Sequence, residues 1–169
     1  MITAAFTGHR PERLGGYSPA IEQALYALAT ATLRTHAPDQ VISGMALGWD
    51  QAVARAALDL KIPTLAAIPF AGQECVWPAE ARARYHALLG RCSARHTVSV
   101  SPYSAHKLHL RDQWMVDHSV QLIALWDGLP TGGTYSTVRY AEREGKPVVN
   151  VWPAWLAAQP GKKPGAYTL

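Results

Sequence analysis

The stretch Val120-Gln121-Leu122-Ile123-Ala124-Leu125-Trp126 runs directly into Asp127-Gly128-Leu129-Pro130-Thr131-Gly132-Gly133-Thr134. A short, nearly unbroken apolar run bounded by turn residues fits a strand covered on both faces, since a strand with one wet face alternates instead. Glycine and proline end that strand, and the following residues return to a helical period that closes near Gly145. A further strand is expected from Pro147 to Trp152. Strand, glycine turn, helix and strand in this order make a βαβ unit, which implies a parallel pair of strands.

Upstream, the same alternation repeats. A strand is expected at Ile2 to Thr7, then a helix in which Ser18 caps, Pro19 takes the first helical position, and Ile21, Leu25, Leu28 and Leu33 form the buried stripe. A short strand, Gln40 to Ser43, leads to a helix whose core face is Val53, Ala56, Ala57 and Leu60. Pro63 to Pro69 reads as a strand, Trp77-Pro78 opens a helix, and His96 to Val100 reads as a weaker strand. A helix from about Ser104 to His118 then returns the chain to Val120. The fold class is therefore α/β: a Rossmann-like three-layer sandwich with a mostly parallel central sheet. One domain over 1–156 and a C-terminal tail over 157–169 account for the length, the tail having little to bury unless Tyr167 and Leu169 pin it.

Of the 169 residues, 49% are hydrophobic and 17% charged, which suits one globular core. No apolar run approaches the ~20 residues that span a bilayer, and the first residues lack a basic leader, so a cytoplasmic protein with no membrane partner is expected. Cys75 and Cys92 lack metal-ligand spacing, and His106 and His109 have no third ligand in register, so no metal is expected. The net charge of +4 and pI near 9.2 favour anionic partners in general.

Three glycine-containing loops each follow a strand: Thr7-Gly8-His9-Arg10, Ser43-Gly44 through Gly48-Trp49-Asp50, and Asp127-Gly128 through Gly132-Gly133-Thr134. A parallel sheet delivers all three to one edge, where helix N-termini present free N–H groups. Gly132 and Gly133 let backbone amides approach an oxyanion, and the hydroxyls of Thr134, Ser136 and Thr137 add donors there; helix capping by Thr134 or Ser136 is the structural alternative. Arg10 suits a bidentate phosphate clamp, with His9 fixing the loop. Asp50 serves either as an N-cap or as a partner for a ligand hydroxyl. Arg111 and Asp112 share a helix face with Leu108 and Met115, a costly placement unless the charges are partnered or line a cleft. Trp49 and Trp126, beside these loops, are candidates for stacking on a base. Neither a Walker A loop nor a dinucleotide fingerprint occurs, and no cofactor is expected.

Taken together, Thr7-Gly8-His9-Arg10-Pro11, Ser43-Gly44-Met45-Ala46-Leu47-Gly48-Trp49-Asp50, Arg111-Asp112-Gln113-Trp114-Met115-Val116-Asp117, Ala124-Leu125-Trp126-Asp127-Gly128 and Gly132-Gly133-Thr134 with Thr137-Val138 resemble the SLOG superfamily, and within it the YpsA-like proteins of bacteria and phages. The resemblance implies a Rossmann-like sheet, a pocket for a nucleotide or nucleotide-derived molecule, and a homodimer. The segment from Arg111 to Thr134 is also similar to the LOG phosphoribohydrolases, which cleave the base from a nucleoside monophosphate with an arginine and a glutamate. Arg111 matches that arginine, whereas Tyr135, Ser136 and Thr137 stand where the glutamate is expected. Ser43, Gly44, Ala46, Gly48 and Asp50 look like the core segment of the DprA family, which binds single-stranded DNA.

The leading expectation is thus binding or sensing of a nucleotide-type small molecule in a strand-end pocket. Gly132, Gly133, Thr134 and Arg10 hold the phosphate, Ser43, Gly44 and Asp50 border the sugar, and Thr7, Gly8, His9, Gly48, Asp127, Gly128 and Thr137 complete the lining. The alternatives are an N-glycosidase, with Arg111, Asp50 and Asp127 as candidate catalytic groups, and single-stranded nucleic acid binding.

Overall fold

In a computed structural model, which describes residues 1–160, six strands form one parallel sheet: β1 (Thr3–Gly8), β2 (Gln40–Ser43), β3 (Thr64–Ile68), β4 (Ala94–Thr97), β5 (Gln121–Leu125) and β6 (Val148–Asn150). Their spatial order is β4-β3-β2-β1-β5-β6, with Phe6 opposite Ser43 on one side and Ile123 on the other. Every pairing is parallel, so the expected Rossmann-like three-layer fold is the one formed. The chain builds outward from β1 to β4 and then returns to the far side of β1, which makes the β1/β5 boundary the point where strand order reverses. Open α/β sheets leave a crevice there.

The helices are α1 (Pro19–His36), α2 (Trp49–Asp59), α3 (Ala79–Arg91), α4 (Ala105–Asp117), α5 (Gly132–Arg143) and α6 (Trp152–Ala158), with a single 3-10 turn at Pro11–Arg13. On one face of the sheet Leu25, Leu33, Val53, Trp49 and Trp155 pack on Ala4, Phe6, Val41, Ile123 and Leu125. On the other face Met115, Val116, Val138 and Ala141 pack on Ala5, Ile42, Leu122 and Ala124. The strict alternation of Ala4, Ala5 and Phe6 between these clusters is the period-2 geometry of a strand buried on both sides.

Ser18 caps α1 as its sequence suggests, its hydroxyl accepting from the Ile21 N–H at 3.3 Å. Two expectations shift. The fourth strand lies at Ala94–Thr97 rather than His96 to Val100, and all its residues are exposed; an edge strand with neither face covered leaves no hydrophobic pattern from which to read its register. The last strand ends at Asn150 rather than Trp152, and Trp152–Ala158 forms α6 with Trp155 fully buried against the first cluster. Pro153, in the first turn of α6, was the available signal for this helix. Tyr167 and Leu169 lie outside the described residues.

Candidate functional site

At the carboxyl ends of β1 and β5, under α4, is a cavity of about 410 Å³, within the range of small-molecule pockets. The β1–α1 connection contributes Thr7, Gly8, His9, Arg10, Glu12 and Arg13; the β2–α2 connection and the start of α2 contribute Ala46 and Asp50. Helix α4 adds Ala105, Leu108, His109, Arg111 and Asp112, and the first turn of α5 adds Gly132, Gly133 and Thr134.

Arg111 organises the buried side of this cavity. It is 5% exposed, its Nε donates to Asp112 Oδ1 at 2.7 Å, and its Nη1 donates to the carbonyls of Gly44 and, at 3.4 Å, Ala67. Its Nη2 has no partner among the described residues. The second Asp112 oxygen accepts from Thr137 Oγ1 at 3.2 Å, which ties α4 to α5. The close approach of Arg111 requires glycine at position 44: a Cβ there would overlap the guanidinium and stand 2.8 Å from Asp50 Oδ2.

Asp50 occupies the first turn of α2 beyond Gly48, and its Oδ2 accepts from the Ala46 N–H at 3.4 Å. Burial, reinforced by the charge of Asp112 and opposed by Arg111, the Ala46 N–H and Arg10, pushes its carboxyl up from 3.8 to about 7. Near neutrality it can therefore donate as well as accept a hydrogen bond.

The first turn of α5 carries no side-chain cap from Thr131 and no acidic residue. Ser136 and Thr137 do not cap it either: the Ser136 hydroxyl donates backward to the Gly132 carbonyl, and the single proton of the Thr137 hydroxyl is shared between Asp112 and the Gly133 carbonyl. Its first amides therefore have no side-chain cap. A Cβ at Gly133 would meet nothing within 4 Å, because the space in front of it is open, whereas Gly132 adopts φ +89°, which L residues avoid.

Beside this turn, His9 is 4% exposed and its Nε2 accepts the Asp127 N–H at 3.1 Å. Burial lowers its pKa despite the neighbouring Asp127, whose Oδ1 stands 3.0 Å from the same Nε2, and the ring joins the β1 loop to the β5 loop. Burial raises the carboxyl of Asp127, yet the Leu129 N–H, His9 and Arg13 outweigh that and hold it below the usual carboxylate range.

Thr7, Gly8, His9, Arg10, Asp50, Arg111, Gly132, Gly133 and Thr134 therefore converge on one cavity. Ser43, Gly44, Gly48, Asp127, Gly128 and Thr137 do not line it, and Gly128 is exposed. Ser43 is fully buried, donating to the Asp50 carbonyl at 2.8 Å and accepting from the Met45 N–H at 3.2 Å. Trp49 is fully buried beneath Gly8 and Trp126 donates to the Leu129 carbonyl at 2.9 Å; neither borders the cavity to stack on a base. Glu12, Arg13 and His109 also line the cavity, although none was expected there as a ligand-site residue. His109 stands three residues before Asp112, so the spacing of α4 could have found it; Arg13 lies in a three-residue turn with no period to read.

The sequence model of the YspA SLOG family matches residues 4–152. The chain belongs to this family. It is 30% identical over 118 residues to the uncharacterized SPbeta prophage-derived protein YoqJ of Bacillus subtilis (strain 168), a match covering 60% of this chain and 68% of YoqJ. Among solved structures it is similar to DNA processing protein A (DprA) of Streptococcus pneumoniae, with a TM-score of 0.60 and 18% identity over 88% of this chain. It spans only 49% of that DprA chain. It is also similar to the molybdenum cofactor binding protein of Rippkaea orientalis, with a TM-score of 0.56 and 17% identity, covering 93% of this chain and 82% of the other. At these identities the two structures establish the shared fold. No helix among the described residues is long and apolar enough to cross a membrane.

Proposed function

We propose that this protein binds a phosphate-bearing, nucleotide-type small molecule in the β1/β5 cavity. The observation that carries this reading is the uncapped first turn of α5, open at Gly133 and facing the same cavity as the buried Arg111. A helix N-terminus with free amides is a ready anion site, and a buried arginine supplies charge that water does not screen. In this reading the α5 amides and Arg10 hold the phosphate and Asp50 meets a sugar hydroxyl. Ala105, Leu108 and His109 offer the flatter, less polar wall that a base requires. A structure of similar fold is a molybdenum cofactor binding protein, which supports a reading of small-molecule binding.

The test is a thermal-shift series with AMP, GMP, CMP and UMP, followed by chromatography of the recovered nucleotide. Stabilisation by at least one of them and its recovery intact are expected; recovery as free base and ribose phosphate would establish hydrolysis instead. Gly133→Val should keep the fold, since its side chain enters open space, and lose the stabilisation by filling the phosphate position. Nucleotide binding undiminished by Gly133→Val would remove the α5 turn from the site. A fluorescent single-stranded oligonucleotide titrated at low and high salt separates the nucleic-acid alternative, because contacts to several phosphates would make its affinity collapse with salt.

A further inference from the structure

Arg13 is held in a place that electrostatics disfavours. Its Nη2 lies 2.5 Å from Asp127 Oδ2 and its Nη1 donates to the Thr131 carbonyl at 3.4 Å. That Nη1 would be 3.2 Å from a Cβ on Gly132, so the guanidinium stands against the N-terminus of α5. Cations belong at helix C-termini, because the N-terminal amides already carry partial positive charge. Helix α5 does nothing to offset this: it has no side-chain cap and no acidic residue in its first turn. Asp127 neutralises Arg13 from behind and is not part of the cavity lining. The nearby acids are committed, Glu12 to the Tyr17 hydroxyl and Asp112 to Arg111 and Thr137. Arg10 enters the same wall, and Arg111, more than nine-tenths buried, brings its unpartnered Nη2 to the cavity. Guanidiniums and amides so arranged can receive an anion, although Glu12 in the same lining keeps its own charge.

We propose that Arg13 is a specificity-determining residue: together with the α5 amides and Arg10 it selects a terminal phosphomonoester over a bridging phosphodiester, and Asp127 positions it. This rests on the nucleotide reading above and adds to it the form of the phosphate. A phosphomonoester carries close to two negative charges near neutrality and three terminal oxygens. A phosphodiester carries one charge and two free oxygens, so it leaves one donor group and one positive charge unanswered.

The experiment is calorimetric titration with whichever of AMP, GMP, CMP or UMP stabilises best, with its parent nucleoside, and with its 5′-methylphosphate diester. The wild-type protein should bind the monoester most tightly. Arg13→Gln should weaken the monoester by about ten- to a hundredfold, the loss expected for a charge-assisted hydrogen bond, and change the diester and nucleoside little. Arg13→Lys should restore part of the preference as a point charge without the fork. Asp127→Asn should weaken the monoester by a smaller factor with nucleoside affinity unchanged. Arg13 is about one-third exposed, so melting temperatures of its variants should stay near wild type and act as a folding control. A monoester preference that survives in folded Arg13→Gln overturns the assignment of Arg13 and leaves the nucleotide reading intact. If no monophosphate binds more tightly than its nucleoside, the nucleotide reading falls and this inference with it.

Discussion

The two helical layers bury different chemistry. On the face covered by α1, α2 and α6, Phe6, Leu33, Trp49 and Trp155 are almost wholly enclosed, and the carboxyl of Asp50 is buried at the cavity end of α2. The opposite face, covered by α4 and α5, encloses Arg111, Thr134 and Thr137 beside Met115 and Val138. Hydrophobic burial is non-directional and tolerates many arrangements, whereas a buried guanidinium needs each acceptor in place. The first layer thus provides adhesion and the second spends part of its core on a fixed array of polar groups. The helix ends do not follow the layers: Ser18 caps α1, while α2, α4, α5 and α6 start without a side-chain capping bond, and the start of α5 lines the cavity.

The largest effects should come from removing one anchor in each layer. Trp155→Ala should lower unfolding free energy by about 3–5 kcal/mol, the cost of deleting a large buried ring, with the same loss at about pH 5 and about pH 8. Arg111→Met should cost about 3 kcal/mol or somewhat more, because Asp112 and the carbonyls of Gly44 and Ala67 lose their donor. Its loss should shrink on acidification, as the abandoned carboxyl groups take up protons. Urea denaturation of both variants at the two pH values checks this, and equal pH dependence would erase the distinction between the layers.

A smaller effect isolates Asp50. Its carboxyl titrates near 3.8 in the unfolded chain and at about 7 in the fold. Between those values the folded state holds a proton that the unfolded state has released, so the Asp50 contribution to stability falls as pH rises through this window. His9 opposes it: with its pKa lowered by burial, its contribution falls as pH drops through the ordinary imidazole range. The informative quantity is therefore the difference between wild type and Asp50→Asn. Thermal melts should show wild type gaining on the variant as pH falls from about 7 towards about 4; a flat difference would mean that Asp50 is ionised throughout.

The smallest effects test the caps. Ser18→Ala should destabilise by about 1 kcal/mol, and Thr131→Ala by no more than about a few tenths, since only Ser18 makes a side-chain capping bond. A Thr131→Ala loss as large as that of Ser18→Ala would show α5 to be capped and would weaken its case as an anion site.

Much of this architecture could be read from local pattern. The apolar strand at β5, the stripe of α1 with its Ser18-Pro19 start, and the three glycine loops after strands all follow from period, propensity and turn chemistry within a few residues. Parallel pairing then dictates that the loops share an edge, so the meeting of Gly8, Asp50 and Gly133 at one cavity was implicit in the sequence. The edge strand β4 was harder, because strands without a covered face have no pattern to betray their register.

The order of elements, the class of sheet and the edge at which chemistry gathers are written in local pattern, since each depends on short-range steric and hydrophobic rules. Only the tertiary structure decided that Ser43 and Thr137 brace the wall, that Trp49 lies under Gly8, and that Arg13 faces the end of α5. Those assignments depend on which way a side chain points towards residues distant in the chain, as between Trp49 and Gly8, or between Arg13 and the loop after β5, 114 to 118 residues on. No local periodicity encodes such a direction; it is fixed when the helices settle on the sheet and the buried polar groups find their partners.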